Sequence, residues 1–299
     1  MGMCFGVRDA IGLATHAAAY HPLTILGELV HNPTVLDRLR ARGIDIKYRV
    51  EEVATSHAMI TAHGTSNKAA SHALNVGLKL MDATCPLVKL AHRSINALVW
   101  DGYHPVIIGK ASHVEVRGMT EDLDRFNVIE SEQDLEQVRE HPKYGVIAQT
   151  THPIERVRHW VDRLRLKFPA SEIKFIDTVC QPTKQRQAAA VDLAQQAEVV
   201  IVIGGANSNN TRELATTCAK YCLRVFQVEN AAGLKPEWFA NVDCVGITAG
   251  TSTLDATIDE VENRIREWAS PLATFNSSRL LECPEIAKRS WAQSVHIAE

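Results

Sequence analysis

LKLMDATC at residues 78–85 and IKFIDTVC at residues 173–180 share one pattern: a short apolar strand-like run, an aspartate (Asp82, Asp177) and, three residues on, a cysteine (Cys85, Cys180). Each leads into a stretch with apolar positions at three-to-four spacing, CPLVKLAHRSINALVW and CQPTKQRQAAAVDLAQQA, with proline in the first turn, where its missing N–H costs little. CFGVRDAIGLATHAAAY at residues 4–20 has the same helical character and also opens on a cysteine, Cys4. Three thiols are therefore expected at helix N-termini, two of them after a strand. The strand that should precede Cys4 is absent from the chain, so the first sheet is expected to be short of a strand or the start to be placed late.

Working outward, each helix leads to a β-branched run closing on glycine: LTILG, PVIIG and VVIVIG, ending at Gly27, Gly109 and Gly204. Four residues after these glycines stand His31, His113 and Ser208. A third run ends in an acid in YRVE, FNVIE and FQVE (Glu51, Glu130, Glu229). A fourth gives AMITAHGTS, YGVIAQTTH and CVGITAGTS, whose loops offer His63, then Gln149 and Thr150, then Ser252. This recurrence predicts three similar α/β domains, residues 1–84, 85–179 and 180–270, with a tail at 271–299. In parallel sheets the loops beyond the carboxyl ends of the strands form the ligand crevice. Packing the units around a pseudo-threefold axis, as a trefoil around a central cluster site, would bring nine polar groups together.

Composition narrows the function. Lys+Arg 32 against Asp+Glu 35 gives a net charge of −3, and no basic cluster interleaves with aromatics, so neither a nucleic-acid surface nor a nucleic-acid partner is expected. No run of about 18 apolar residues suggests a membrane span, and the absence of a leader suggests a cytoplasmic chain. Seven cysteines without an export signal argue against a disulfide framework. Cys218 and Cys222 lie four apart on a helical pattern, with no further ligand at finger spacing, and read as buried apolar residues, like Cys244 and Cys283.

Cys4, Cys85 and Cys180 could hold zinc, an iron–sulfur cluster, or nothing. Structural zinc usually takes ligands in local pairs, and none of the three has a near-neighbour cysteine. A cubane held by only three thiolates keeps one iron open to a substrate oxygen, which suits chemistry on a hydroxyl. His31 and His63, with Ser208, Asn210 and Ser252, supply donors for phosphate oxygens, and NSNNT (207–211) opens a helix, where a phosphate is well placed. HNP and NSNNT also read as ordinary helix N-caps. Glu115, two residues beyond His113, could deliver protons to a leaving hydroxyl, with His113 and Thr150 as relay.

CFGVRDAI, ELVHNPTV, TAHGTS, DATCPLV, GKASHVEVRGM, AQTTHP, NSNNTREL and TAGTS, in this order, resemble the IspH/LytB family along nearly the whole chain. The resemblance implies a trefoil around a [4Fe-4S] cluster with one open iron site, on Cys4, Cys85 and Cys180. It implies reductive removal of the C4 hydroxyl of 4-hydroxy-3-methylbut-2-enyl diphosphate, an allylic diphosphate, to give isopentenyl and dimethylallyl diphosphate, the last step of the methylerythritol phosphate pathway. By position His31, His63, His113, Ser208, Asn209, Asn210 and Ser252 match its diphosphate and substrate ligands, Glu115 its proton source and Thr150 its hydroxyl contact. The chain departs from the pattern at Asn209, where the family commonly has a serine, and at Arg117, where it often has an acid; SHVEV lacks the usual proline. These departures motivate the alternative of a cluster-bearing relative that acts on, or only binds, a different diphosphate. No G-x-G-x-x-G follows a strand, since GGANSN lacks the third glycine, so electrons would come from an external donor, which the resemblance implies is of ferredoxin or flavodoxin type.

Overall fold

A computed structural model describes residues 2–269. The first unit comprises α1 (Phe5–Ala18), β1 (Leu23–Leu26), α2 (Pro33–Arg40), β2 (Asp45–Lys47), β3 (His57–Ile60), α3 (Asn67–Asn75) and β4 (Lys79–Asp82). The second comprises α4 (Pro86–Trp100), β5 (His104–Ile108), α5 (Val114–Thr120), β6 (Asn127–Ile129), α6 (Glu132–Gln137), β7 (Lys143–Ala148), α7 (Ile154–Lys167) and β8 (Glu172–Phe175). In the third are α8 (Gln181–Gln196), β9 (Val199–Ile203), α9 (Asn209–Cys218), β10 (Val225–Val228), β11 (Val245–Ala249) and α10 (Asp255–Ala269). Three separate sheets result, with strand orders β2-β1-β3-β4, β6-β5-β7-β8 and β10-β9-β11, and every pair is parallel. The expected α/β class and threefold repetition are thus present.

Each sheet is covered as a parallel sheet must be, because crossover helices lie on its faces. Ile201 and Ile203 of β9 point to the cluster with Ile258 and Val261 of α10, while Val200 and Val202 point to Ala190, Ala194 and Leu214 of α8 and α9. The same alternation splits β5: Val106 and Ile108 pack toward Val157 and Leu164 of α7, and Ile107 toward Ala91, Ile95 and Leu98 of α4. Cys218 and Cys222 are buried in the third unit, in the apolar role expected of them.

Two expectations need correction. The first sheet is complete at four strands, because β4, the strand leading to Cys85, pairs with β3; the three-stranded sheet is the third, where β11 takes the place of β3 and β7 and stands at the edge, with no strand among the described residues pairing beside it as β4 and β8 pair beside β3 and β7. YRVE does not end a strand either. β2 stops at Lys47, and Val50–Glu52 turns as a short 3-10 helix tied by the Arg49–Glu52 pair, since exposed Tyr48 gives the stretch nothing to bury. The tail 271–299, with Cys283, lies outside the described residues. Among the described residues no helix is long and apolar enough to cross a membrane.

Candidate functional site

The three cysteines occupy equivalent joints. Each is the N-cap of a helix, Cys4 of α1, Cys85 of α4 and Cys180 of α8, none of the three side chains makes the capping hydrogen bond, and Cys180 Sγ pairs with the Thr183 hydroxyl at 3.0 Å. Each backbone N–H donates to a carbonyl just beyond a central strand: Cys85 to Ala62 after β3 (3.0 Å), Cys180 to Thr150 after β7 (2.9 Å) and Cys4 to Thr251 after β11 (3.0 Å). Each cysteine therefore links one sheet to the helix that packs on the next. For Cys4 the link runs back from the third unit to the first, which closes the ring without a covalent connection.

Loops after β1, β5 and β9 bring in the second set. Asn32, rather than His31, caps α2 by accepting from Val35 N (3.3 Å), and the His31 ring instead pairs through Nδ1 with Glu28 (2.8 Å). His113 and Ser208 are themselves the caps of α5 and α9, accepting from Glu115 N (3.2 Å) and Thr211 N (3.3 Å). HNP and NSNNT are thus helix caps and cavity residues at once. Asn32 Nδ2 also donates to Ser252 O (2.7 Å), and the Ser252 hydroxyl to His31 O (3.3 Å), tying the first and third units.

One central cavity is lined by all twelve residues singled out from the sequence: Cys4, Cys85 and Cys180; His31, His63 and His113; Glu115 and Thr150; Ser208, Asn209, Asn210 and Ser252. Gln149, also in an expected loop, turns away and accepts from Lys110 N (3.1 Å). The reading of the sequence missed the apolar part of the wall, Val7, Val30, Ala62, Leu87 and Val88, and the close approach at Gly6. Their signal was adjacency to the polar residues.

The rings of His31 and His63 stack at 4.2 Å, and both meet His113 edge-on at 5.4 and 5.8 Å. Burial holds His63 well below the usual histidine range; burial and then the charges of neighbouring cations push His113 down to about 3. Glu115 is 1 % exposed, and burial lifts its carboxyl to about 7 even though Thr150 donates to it twice. The site so holds a protonatable acid at neutral pH beside neutral imidazoles. Asn209 Nδ2 and both polar atoms of the Asn210 amide are buried without partners, as is His63 Nδ1. Unsatisfied buried donors in a cavity are what an anionic ligand would complete.

Burial raises the Cys180 thiol to about 11 and also lifts Cys85, so ionisation there requires a cation. Among the described residues no group of three or more His, Cys, Asp or Glu is close enough to hold a single metal ion. Three sulfurs around one cavity fit a polynuclear centre in which each thiolate takes a different metal. Arg186, unremarked in the sequence, lies behind them: it donates to Ala249 O, Gly250 O and Gly2 O, and its charge interacts with Cys4 and Cys180.

A family model described as LytB protein matches residues 1–266. The chain is similar to the 4-hydroxy-3-methylbut-2-enyl diphosphate reductases of Geobacter metallireducens, 37 % identical over 268 residues (89 % of this chain, 94 % of the relative), and Aquifex aeolicus, 35 % identical over 272 residues (89 % and 93 %). Among solved structures it is similar to the E-1-hydroxy-2-methyl-but-2-enyl-4-diphosphate reductase from Plasmodium falciparum, with a TM-score of 0.83 and 25 % identity over 88 % of this chain and 84 % of that one. A second, described as (E)-4-hydroxy-3-methyl-but-2-enyl diphosphate reductase, the terminal enzyme of the non-mevalonate pathway, gives a TM-score of 0.65 and 35 % identity over 89 % and 96 %.

Proposed function

The chain belongs to the LytB protein family, and from that premise we propose that it is an oxidoreductase acting on 4-hydroxy-3-methylbut-2-enyl diphosphate at the end of the non-mevalonate route to isoprenoids. In this reaction the C4–O bond breaks, two electrons and two protons enter, and the oxygen leaves as water. One proton goes to that oxygen and the other to carbon, giving isopentenyl or dimethylallyl diphosphate. The observation that carries the reading is the convergence of three thiols, three histidines and one raised carboxyl from three units on one cavity.

In this reading Cys4, Cys85 and Cys180 would hold three irons of a [4Fe-4S] cluster. When bound, that group would offer an open iron to the substrate hydroxyl and relay electrons from an external ferredoxin- or flavodoxin-type donor. Support comes from the donor set: three sulfurs, one from the N-cap of each of α1, α4 and α8, on the wall of one cavity. His31, His63, His113, Ser208, Asn209, Asn210 and Ser252 would hold the diphosphate. The unpartnered amide groups of Asn209 and Asn210 are the donors best suited to it. Glu115, neutral below about pH 7, would give its proton to the departing hydroxyl, with Thr150 fixing both carboxyl oxygens. The reaction is assigned to the cytoplasm.

Anaerobic purification should yield about four irons and four sulfides per chain, with turnover of the hydroxylated allylic diphosphate and a paramagnetic signal that changes when it binds. Cys180→Ser should lose iron and activity together. A loaded cluster with no turnover would overturn the substrate assignment in favour of a relative that binds a different diphosphate. Full iron in Cys180→Ser would overturn the ligand set.

A further inference from the structure

Beside the central cavity, and sharing His31 and His113 with it, opens a second cleft of about 580 Å³, within the size range of small-molecule sites. All three units contribute to it. One wall is apolar, with Leu26, Ile60, Ala69, Ala73 and Leu80; the other carries Lys110, Arg117 and Arg212. Among the described residues none of these three cations forms an ion pair. The two acids on the cleft are already engaged: Glu28 with His31 Nδ1 at 2.8 Å, and Glu121 with the Ser66 hydroxyl at 2.8 Å. The field of Arg212, Lys110 and Arg117 reaches His113, at the boundary between the two spaces.

Arg212 also makes a physical link inward. Its Nη2 donates to Asn209 Oδ1 at 3.4 Å, and Asn209, 5 % exposed, lines the central cavity with Nδ2 unpartnered. We propose that this cleft is an outer binding site for a diphosphate bearing a short hydrocarbon chain, with Lys110, Arg117 and Arg212 on the anion and the apolar wall on the chain. It holds the ligand before it passes His31 and His113. This proposal rests on the diphosphate reading of the central cavity and adds a second site to it.

Calorimetric titration of the anaerobically purified full chain with inorganic diphosphate and with isopentenyl diphosphate, each at low and high ionic strength, tests it. Wild type should show two binding events, the weaker one falling steeply with salt. Lys110→Gln/Arg117→Gln should weaken that event about tenfold or more and raise KM with kcat within about twofold. Asn210→Ala should weaken the other event and leave this one. Isopentenyl diphosphate should exceed inorganic diphosphate at the outer site, because only it uses the apolar wall. A double variant that titrates like wild type at both ionic strengths, or a single event abolished by Asn210→Ala, overturns the proposal. Two binding events with no turnover by any form would instead sink the reductase reading and leave the outer site standing.

Discussion

Glu115 and Thr150 are bonded directly on the wall of the central cavity, with both carboxyl oxygens engaged: Oε1 accepts from the Thr150 backbone N–H at 2.6 Å and Oε2 from its hydroxyl at 2.9 Å. Those bonds favour the anion, yet burial outweighs them and lifts the carboxyl to about 7. Glu115→Gln keeps the shape and removes the acid, so turnover should fall about 10²-fold or more with diphosphate binding retained. Wild-type kcat should decline as pH rises through about 7, and the residual rate of the variant should lack that limb. The folded chain also holds a proton that the unfolded chain releases above about 4.5. This group therefore favours the fold fully below that pH, and the contribution is lost as pH rises through about 7. An unchanged pH–rate profile in the variant would remove Glu115 from the proton path.

Gly6 sets the approach of α1 to the second thiol. A Cβ there would lie 2.5 Å from Cys85 Sγ, so Gly6→Ala must displace the sulfur while adding a better helix former to α1. Thermal stability should be held or slightly raised, and iron bound per chain should fall to well below half that of wild type. Wild-type iron content in a folded Gly6→Ala protein would show that Cys85 does not need its present position.

Arg186 joins three segments through one guanidinium, bonding Ala249 O (2.5 Å), Gly250 O (3.0 Å) and Gly2 O (2.7 Å). Arg186→Ala should destabilise the chain by about 2–4 kcal/mol, because partly buried carbonyls lose a charged donor, read from the denaturant midpoint. Lysine should restore little, since a point charge cannot span three acceptors. Equal midpoints for wild type and Arg186→Ala would contradict the joint.

His63 and His113 are held neutral chiefly by burial. An anion placed against them favours the imidazolium, so diphosphate binding near pH 7 should take up protons and affinity should fall as pH rises. Calorimetry in buffers of different ionisation enthalpy measures this directly. A buffer-independent enthalpy would mean that the rings serve only as neutral donors.

Much of this was legible in the chain because it depends on local periodicity. The strand–cysteine–helix joints at Cys85 and Cys180, and the polar residue four places after Gly27, Gly109 and Gly204, are short-range patterns, and each was found where expected. YRVE misled because alternation by itself does not make a strand. Val50 and Glu51 had no neighbouring strand to pair with once β2 had ended at Lys47.

The sequence by itself determined three α/β repeats and twelve chemically apt side chains, since hydrophobic period and turn chemistry act within a few residues of one another. Only the tertiary structure decided that Cys4 closes onto Thr251, that the incomplete sheet is the third, that Arg186 stands behind the thiols and that burial lifts Glu115 to about 7. Each of these depends on contacts between segments up to about 250 residues apart, or on water excluded by packed neighbours. Neither is encoded in any single stretch of the chain.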